Sequence, residues 1–150
     1  MQTSKQLSVT LVNKPGRLAD VLSALNKEKV NCLALSVMNA GERGTLRMVP
    51  DDVKAAIEVL DKINARYEVA DVLLVTIPYQ QGAFSKVCER LAVEHLNIDY
   101  AYCSFGIEEG SKGKALAVFK LNDLAKAQRV LTSNGATHRQ LPRRRPVYSR

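Results

Sequence analysis

Leu7-Ser8-Val9-Thr10-Leu11, with Gly16-Arg17-Leu18-Ala19-Asp20-Val21-Leu22 behind it, returns 66 residues later as Leu73-Leu74-Val75-Thr76-Ile77 and Gly82-Ala83-Phe84-Ser85-Lys86-Val87-Cys88. Leu25 lines up with Leu91, and Val30-Asn31-Cys32 with Leu96-Asn97-Ile98. A fixed period means a repeated structural unit, and it decides the fold before any local reading does. Within the first copy, Leu7, Val9 and Leu11 alternate with Ser8 and Thr10, the pattern of a half-buried strand. Asn13-Lys14-Pro15-Gly16 breaks that strand. Leu18, Val21, Leu22 and Leu25 then follow at helical spacing.

Working outward, residues 31–39 read as a second strand, 41–44 as a turn and 45–49 as a third strand. Asp51-Asp52 suits a helix start, because carboxylates satisfy the exposed N–H groups there. Val53, Ala56, Ile57 and Leu60 form its inward face, and a fourth strand begins at 67–69. The order strand-helix-strand-strand-helix-strand is the split βαβ arrangement of ferredoxin-like α+β domains. In the second copy, 73–77 is a strand and 83–95 a helix with Phe84, Val87, Cys88 and Leu91 inward. Strands at 98–105 and 114–121 flank a Gly-rich turn. A last helix opens at Asn122-Asp123, carries Leu124, Ala127 and Leu131 inward, and ends at Asn134-Gly135. A short final strand is expected at 137–141.

The division is thus a first module over 1–70, a second over 71–138 and a basic tail over 139–150. No flexible spacer separates the copies. Strand four of the first runs into strand one of the second, which predicts one rigid body with helices on one face of antiparallel sheet. Units of this size sit near the lower limit for an independent core, so each needs the other.

Composition narrows the function classes. The 150 residues carry a net charge of +7, but Arg139, Arg143, Arg144, Arg145 and Arg150 in the tail supply five of those charges. The body is therefore nearly balanced. Cys32, Cys88 and Cys103 show no pairing or zinc spacing, and they read as small packed residues. The longest apolar run is far short of a membrane span. No signal-peptide core opens the chain, so a reducing cytoplasm is expected. His95 and His138 have no partner at metal or triad spacing, and no cofactor motif is present. No enzyme activity is expected.

The first strand-to-helix junction is the most informative local feature. Gly16 permits a close approach. The helix behind it offers unpaired N–H groups and a positive dipole end, which favour a carboxylate. Asn13 adds an amide that accepts from an ammonium and donates to a carboxylate. One end of a free amino acid needs those groups. Gly recurs as Gly82, and Asn31 recurs as Asn97, each Asn where a helix hands over to the second strand.

On Gln6-Leu-Ser-Val-Thr-Leu-Val-Asn-Lys-Pro-Gly-Arg-Leu18, Val30-Asn31 and Asp51-Asp52, the chain resembles tandem ACT-domain proteins, small regulatory modules that bind amino acids. The resemblance spans residues 5–135. It implies two βαββαβ modules side by side, a homodimer, and an effector site at the seam between modules. In the similar regulatory domain of a serine-biosynthesis dehydrogenase, the Asn before Pro-Gly and the Asn opening strand two hold the amino acid, which are Asn13 and Asn31 here. The site expected from the resemblance comprises Asn13, Lys14, Pro15, Gly16, Arg17, Leu18 and Asn31, with Gly82, Ala83, Phe84 and Asn97 in the second copy. There Tyr79-Gln80-Gln81-Gly82 replaces Asn13-Lys14-Pro15-Gly16, so either the second site has changed ligand or only one site works, and the latter is the favoured reading.

The leading expectation is a free-standing sensor of a free amino acid that signals to a protein partner or through its oligomeric state. At roughly 0.6 to 1 kcal/mol per heavy atom, such a ligand gains about 4 to 8 kcal/mol, which is millimolar to micromolar binding. The alternative is a nucleic-acid-binding ferredoxin-like protein using its basic tail. RNA-recognition sheets stack bases on aromatics of the central strands, and strands 7–11 and 45–49 carry none. Phe119 alone stands in a matching strand of the second copy, so nucleic acid ranks below an amino acid as partner.

Overall fold

The computed structural model describes residues 1–105 and 113–133. The expected turn at 106–112, the expected strand at 137–141 and the basic tail lie outside the described residues. The elements in order are β1 (Gln2–Val12), α1 (Arg17–Lys27), β2 (Cys32–Ala40), β3 (Arg43–Pro50), α2 (Val53–Lys62), β4 (Arg66–Pro78), α3 (Ala83–Val93), β5 (Ile98–Phe105), β6 (Lys114–Leu121) and α4 (Leu124–Thr132). The strands form one antiparallel sheet in the order β2-β3-β1-β4-β6-β5.

The repeat becomes a symmetry at the centre of that sheet. β4 is a single strand of 13 residues. Its first part pairs with β1, as the closing strand of the first module, and its last part pairs with β6, as the opening strand of the second. The strand expected at 67–69 and the one expected at 73–77 are therefore continuous. Along the seam Thr3 faces Leu73 and Leu7 faces Val69. Shifting each pair by the repeat turns one into the other, so the register obeys a two-fold relation. That axis falls on the pair Lys5 and Asp71, which are 66 positions apart and face each other directly. Their side chains form an ion pair at 2.6 Å. A strict repeat would set a residue against its own kind, and like charges directly opposite are destabilising.

All four helices lie over one face. Leu7, Val9, Leu46, Met48 and Leu60, each 0 % exposed, centre the core under α1 and α2. Leu73, Leu91, Ala117 and Phe119 centre the core under α3 and α4. Full burial of one such large side chain contributes about 1.5–3 kcal/mol, so these clusters set the strand alternation. The sheet curls, and its other face holds a third cluster of Ala34, Val49, Val72, Leu74 and Val118. Gln6 is the buried polar residue among them, 0 % exposed. Its Nε2 donates to Tyr100 Oη at 2.5 Å, and Tyr102 Oη donates to its Oε1 at 2.9 Å. Tyr100 and Tyr102 belong to β5 in the second module and Gln6 to β1 in the first. The curl is thus closed by a polar contact between modules.

The helix ends repeat as well. Asp52 and Asp123 cap α2 and α4, accepting from the N–H groups of Ala55 and Lys126 at 3.0 Å each. At the other ends Lys29 and His95, again 66 apart, both take φ +57°. The next N–H reaches back to the helix, Val30 to Leu25 O and Leu96 to Leu91 O, each at 3.0 Å. This is the left-handed C-terminal stop, and it gives His95 a backbone role.

One boundary differs from the sequence reading, and one side chain is placed by the structure. β1 starts at Gln2, five residues before the alternation that opens at Leu7, because Gln2 and Thr3 pair with Leu74 and Leu73 of β4. Phe119 is the aromatic that stands in the matching strand of the second copy. It is fully buried under the helices, stacked on Phe84 with ring centroids 5.4 Å apart.

Candidate functional site

Both strand-to-helix junctions are built alike. At the first, Asn13 N–H donates to Glu42 O at 2.8 Å, Lys14 N–H to Val12 O at 2.8 Å, and Arg17 N–H to Lys14 O at 3.3 Å. At the second, Tyr79 N–H donates to Gly113 O at 2.6 Å, Gln80 N–H to Pro78 O at 2.9 Å, and Ala83 N–H to Gln80 O at 3.2 Å. Gly16 at φ +87° and Gly82 at φ +80° are the N-caps, and neither helix has a side-chain cap. A Cβ at either glycine would meet nothing within 4 Å. Both glycines are thus required by their left-handed backbone, and the space in front of them is open. Since α2 and α4 are capped by aspartates, it is the two repeated junctions that leave first-turn N–H groups without a side-chain acceptor.

The expected residues divide between opposite ends of the module. Asn13, Lys14, Pro15, Gly16, Arg17 and Leu18 lie where β1 ends. Asn31 lies where β2 begins, a strand length of about 25 Å away, since β2 runs parallel to β1. The first module does not bring Asn13 and Asn31 together. Asn13 Nδ2 donates to Gly41 O at 3.0 Å and ties the junction to the β2–β3 turn. Asn31 donates through its backbone N–H to Asp51 Oδ1 at 3.0 Å and through Nδ2 to Asp51 Oδ2 at 3.1 Å. Asp51 N–H returns to Asn31 O at 2.9 Å. Asn97 repeats this with its N–H on Asn122 Oδ1 at 3.1 Å. Its Nδ2 donates to Asp99 Oδ1 at 2.9 Å. The recurring Asn therefore pins the start of each second strand to the residue that opens the next helix.

The junctions differ in charge and in shape. Asp20 stands in the first turn of α1, and the repeat places Lys86 at that position of α3. A carboxylate offsets part of the positive end of α1; an ammonium adds to that of α3. Two clefts flank the second junction. One, of about 420 Å³, is walled by Ile77, Pro78, Tyr79, Gln81, Phe84 and Ala115. The other, of about 320 Å³, runs beside Val75–Pro78 of β4 to Lys86 and Arg90. Arg90 is engaged, its Nη2 donating to Val130 O at 2.6 Å and Ser133 O at 2.9 Å.

The three thiols are free and half-buried. Burial first pushes Cys32, Cys88 and Cys103 above the ordinary thiol range. Among the described residues no group of three or more His, Cys, Asp or Glu could hold a metal, and no helix is long and apolar enough to cross a membrane.

A family model described as an ACT domain pair matches residues 2–139. Among solved structures, a protein from Bacteroides thetaiotaomicron is similar over 86% of this chain and 86% of its own, with 31% identity and a TM-score of 0.78. The ligand-free regulatory subunit of aspartate kinase from Thermus thermophilus covers 87% of this chain and 95% of its own, with 15% identity and a TM-score of 0.63. The corresponding subunit from Thermus flavus gives 15% identity and a TM-score of 0.56 over the same shares. At that identity the two subunits speak to the fold alone. Among curated proteins none matches at a significant level.

Proposed function

This chain belongs to the family of paired ACT domains, and from that membership we propose a regulatory protein that binds a free amino acid and passes the signal to a protein partner or through its oligomeric state. The carboxylate of the ligand is held by the N-terminus of a junction helix, and the second junction is the one furnished for it. The observation that carries this is the pair of uncapped helix starts behind Gly16 and Gly82, the second of which carries Lys86 in its first turn and has a cleft of about 420 Å³ against it. That volume lies within the range of small-molecule sites. Phe84 and Ile77 offer an apolar wall for a side chain, and the Gln81 amide can meet either end of a zwitterion.

A thermal-shift screen of the twenty amino acids tests this. At ten times its dissociation constant a ligand adds about 1.4 kcal/mol to stability. At least one amino acid at millimolar concentration should raise Tm, and Gln81→Glu, which sets a carboxylate at the helix start, should abolish that shift. Asn13→Ala should leave it intact. The proposal fails if none of the twenty stabilises the protein, or if Gln81→Glu responds as the wild type does.

A further inference from the structure

The helix-free face carries a cation that the effector reading leaves unused. Arg47 on β3 places its guanidinium 4.0 Å over the Tyr100 ring. Its Nε is buried and has no hydrogen-bond partner. The ion pair found among the described residues, Lys5 with Asp71, lies elsewhere. A buried donor left unpaired is costly, and more so when it is charged.

The register surrounds this group with further donors. Ser8 on β1 and Ser36 on β2 face Arg47 from either side, at a Cβ spacing of about 5 Å. Lys120 on β6 faces Tyr100. The Tyr100 oxygen accepts from Gln6, so its own proton is unspent. The Tyr102 proton, in contrast, is committed to Gln6. Two acids stand near. Asp99 accepts from Asn97. Glu68 faces Ser8 from β4, two strand spacings or about 10 Å from Arg47. Neither forms an ion pair with Arg47.

We propose that Arg47, Tyr100, Ser8, Ser36 and Lys120 form a binding site for a small oxyanion, a carboxylate or phosphate group, on the helix-free face between the two modules. The guanidinium held over the Tyr100 ring offers an N–H fork suited to bidentate donation to an oxyanion. An occupant would touch β3 of the first module and β5 and β6 of the second. It would therefore act on how the modules sit together, independently of the junction sites.

The test is a pair of titrations of the full chain, one with inorganic phosphate and one with succinate, followed by ¹H–¹⁵N spectra of the Arg47 Nε–H and the Ser8 and Ser36 amides. A saturable shift with either anion supports the site, and the anion that produces it fixes the ligand class. Affinity should fall about tenfold in Arg47→Gln and several-fold in Tyr100→Phe, while Gln81→Glu should leave it unchanged. The absence of a saturable shift with both anions at about 20 mM overturns the proposal. So does an undiminished response in Tyr100→Phe and Arg47→Gln together.

Discussion

Gln6→Leu isolates the contact that joins the modules. The wild-type side chain is fully buried, with one bond to each of two tyrosines of the other module. Leu is close in volume, so the cavity term is small and the polar terms dominate. Two hydrogen bonds worth about 1 kcal/mol each are lost, and Tyr102 is left a half-buried donor without its acceptor, which adds about 1 kcal/mol. The expected cost is about 3 kcal/mol. Tyr102→Phe alone orphans Gln6 Oε1 but leaves the Tyr100 bond, so about 1–2 kcal/mol is expected. The double variant Gln6→Leu/Tyr102→Phe replaces both partners by apolar groups. It should therefore cost less than the sum of the singles by about 1–2 kcal/mol. Urea unfolding gives the three values, and Tm should fall by about 6–12 °C in Gln6→Leu. A coupling term under about 0.5 kcal/mol would show that the polar contact does not tie the modules, and the reasoning would be refuted.

Asp52→Ala and Asp123→Ala each remove one helix cap, and each should cost about 1 kcal/mol in urea unfolding. His95→Gly should raise stability by about 0.5–1 kcal/mol, since His95 at φ +57° bears the left-handed strain that glycine does not. Burial first, then the neighbouring Tyr100, pushes the Tyr102 hydroxyl well above the ordinary tyrosine range. The folded chain thus keeps a proton that the unfolded chain releases near pH 10, so stability is full below about pH 10 and declines above it. Alkaline melting curves should show that decline to be shallower in Tyr102→Phe. Exchanging Asp20→Lys with Lys86→Asp should move amino-acid-dependent amide shifts from Phe84 and Ser85 to Leu18 and Ala19; shifts that stay at the second junction would discount helix-end charge as the selector.

What could be read in the sequence was what repeats locally. Alternation at Leu7, Val9 and Leu11, helical spacing at Leu18 to Leu25 and the Asp51-Asp52 start each draw on neighbours a few residues away, and so the βαββαβ order was visible. The polar run Gln2-Thr3-Ser4-Lys5 has no alternation. It is strand only because β4 offers it an edge. The recurrence of Asn31 and Asn97 was visible, but its cause was not. Both engage residues 20 or more positions away that open the next helix. Gln6, Arg47, Tyr100 and Tyr102 gave no signal, because their partners lie in the other module and the repeat places Val72, not a polar residue, opposite Gln6 in the alignment. Tyr79, standing where Asn13 stands, walls one of the clefts beside Gly82, and the backbone bond at that position is kept in both copies, Asn13 to Glu42 and Tyr79 to Gly113.

Duplication hands a protein two sites of equal geometry, and a two-fold axis keeps them equal only while the sequence does. At the axis a charge must meet its counterpart, and Lys5 against Asp71 already breaks the equality there. Asp20 and Lys86 break it again at the junctions, in the place where a half-charge from the helix end is felt most. An acid in the first turn repels an anionic ligand at the helix end, whereas a base in the first turn and an anionic ligand reinforce each other. The fold therefore supplies two equivalent helix starts, and in the function proposed above it is the sign of one side chain at each that selects which of them takes the ligand.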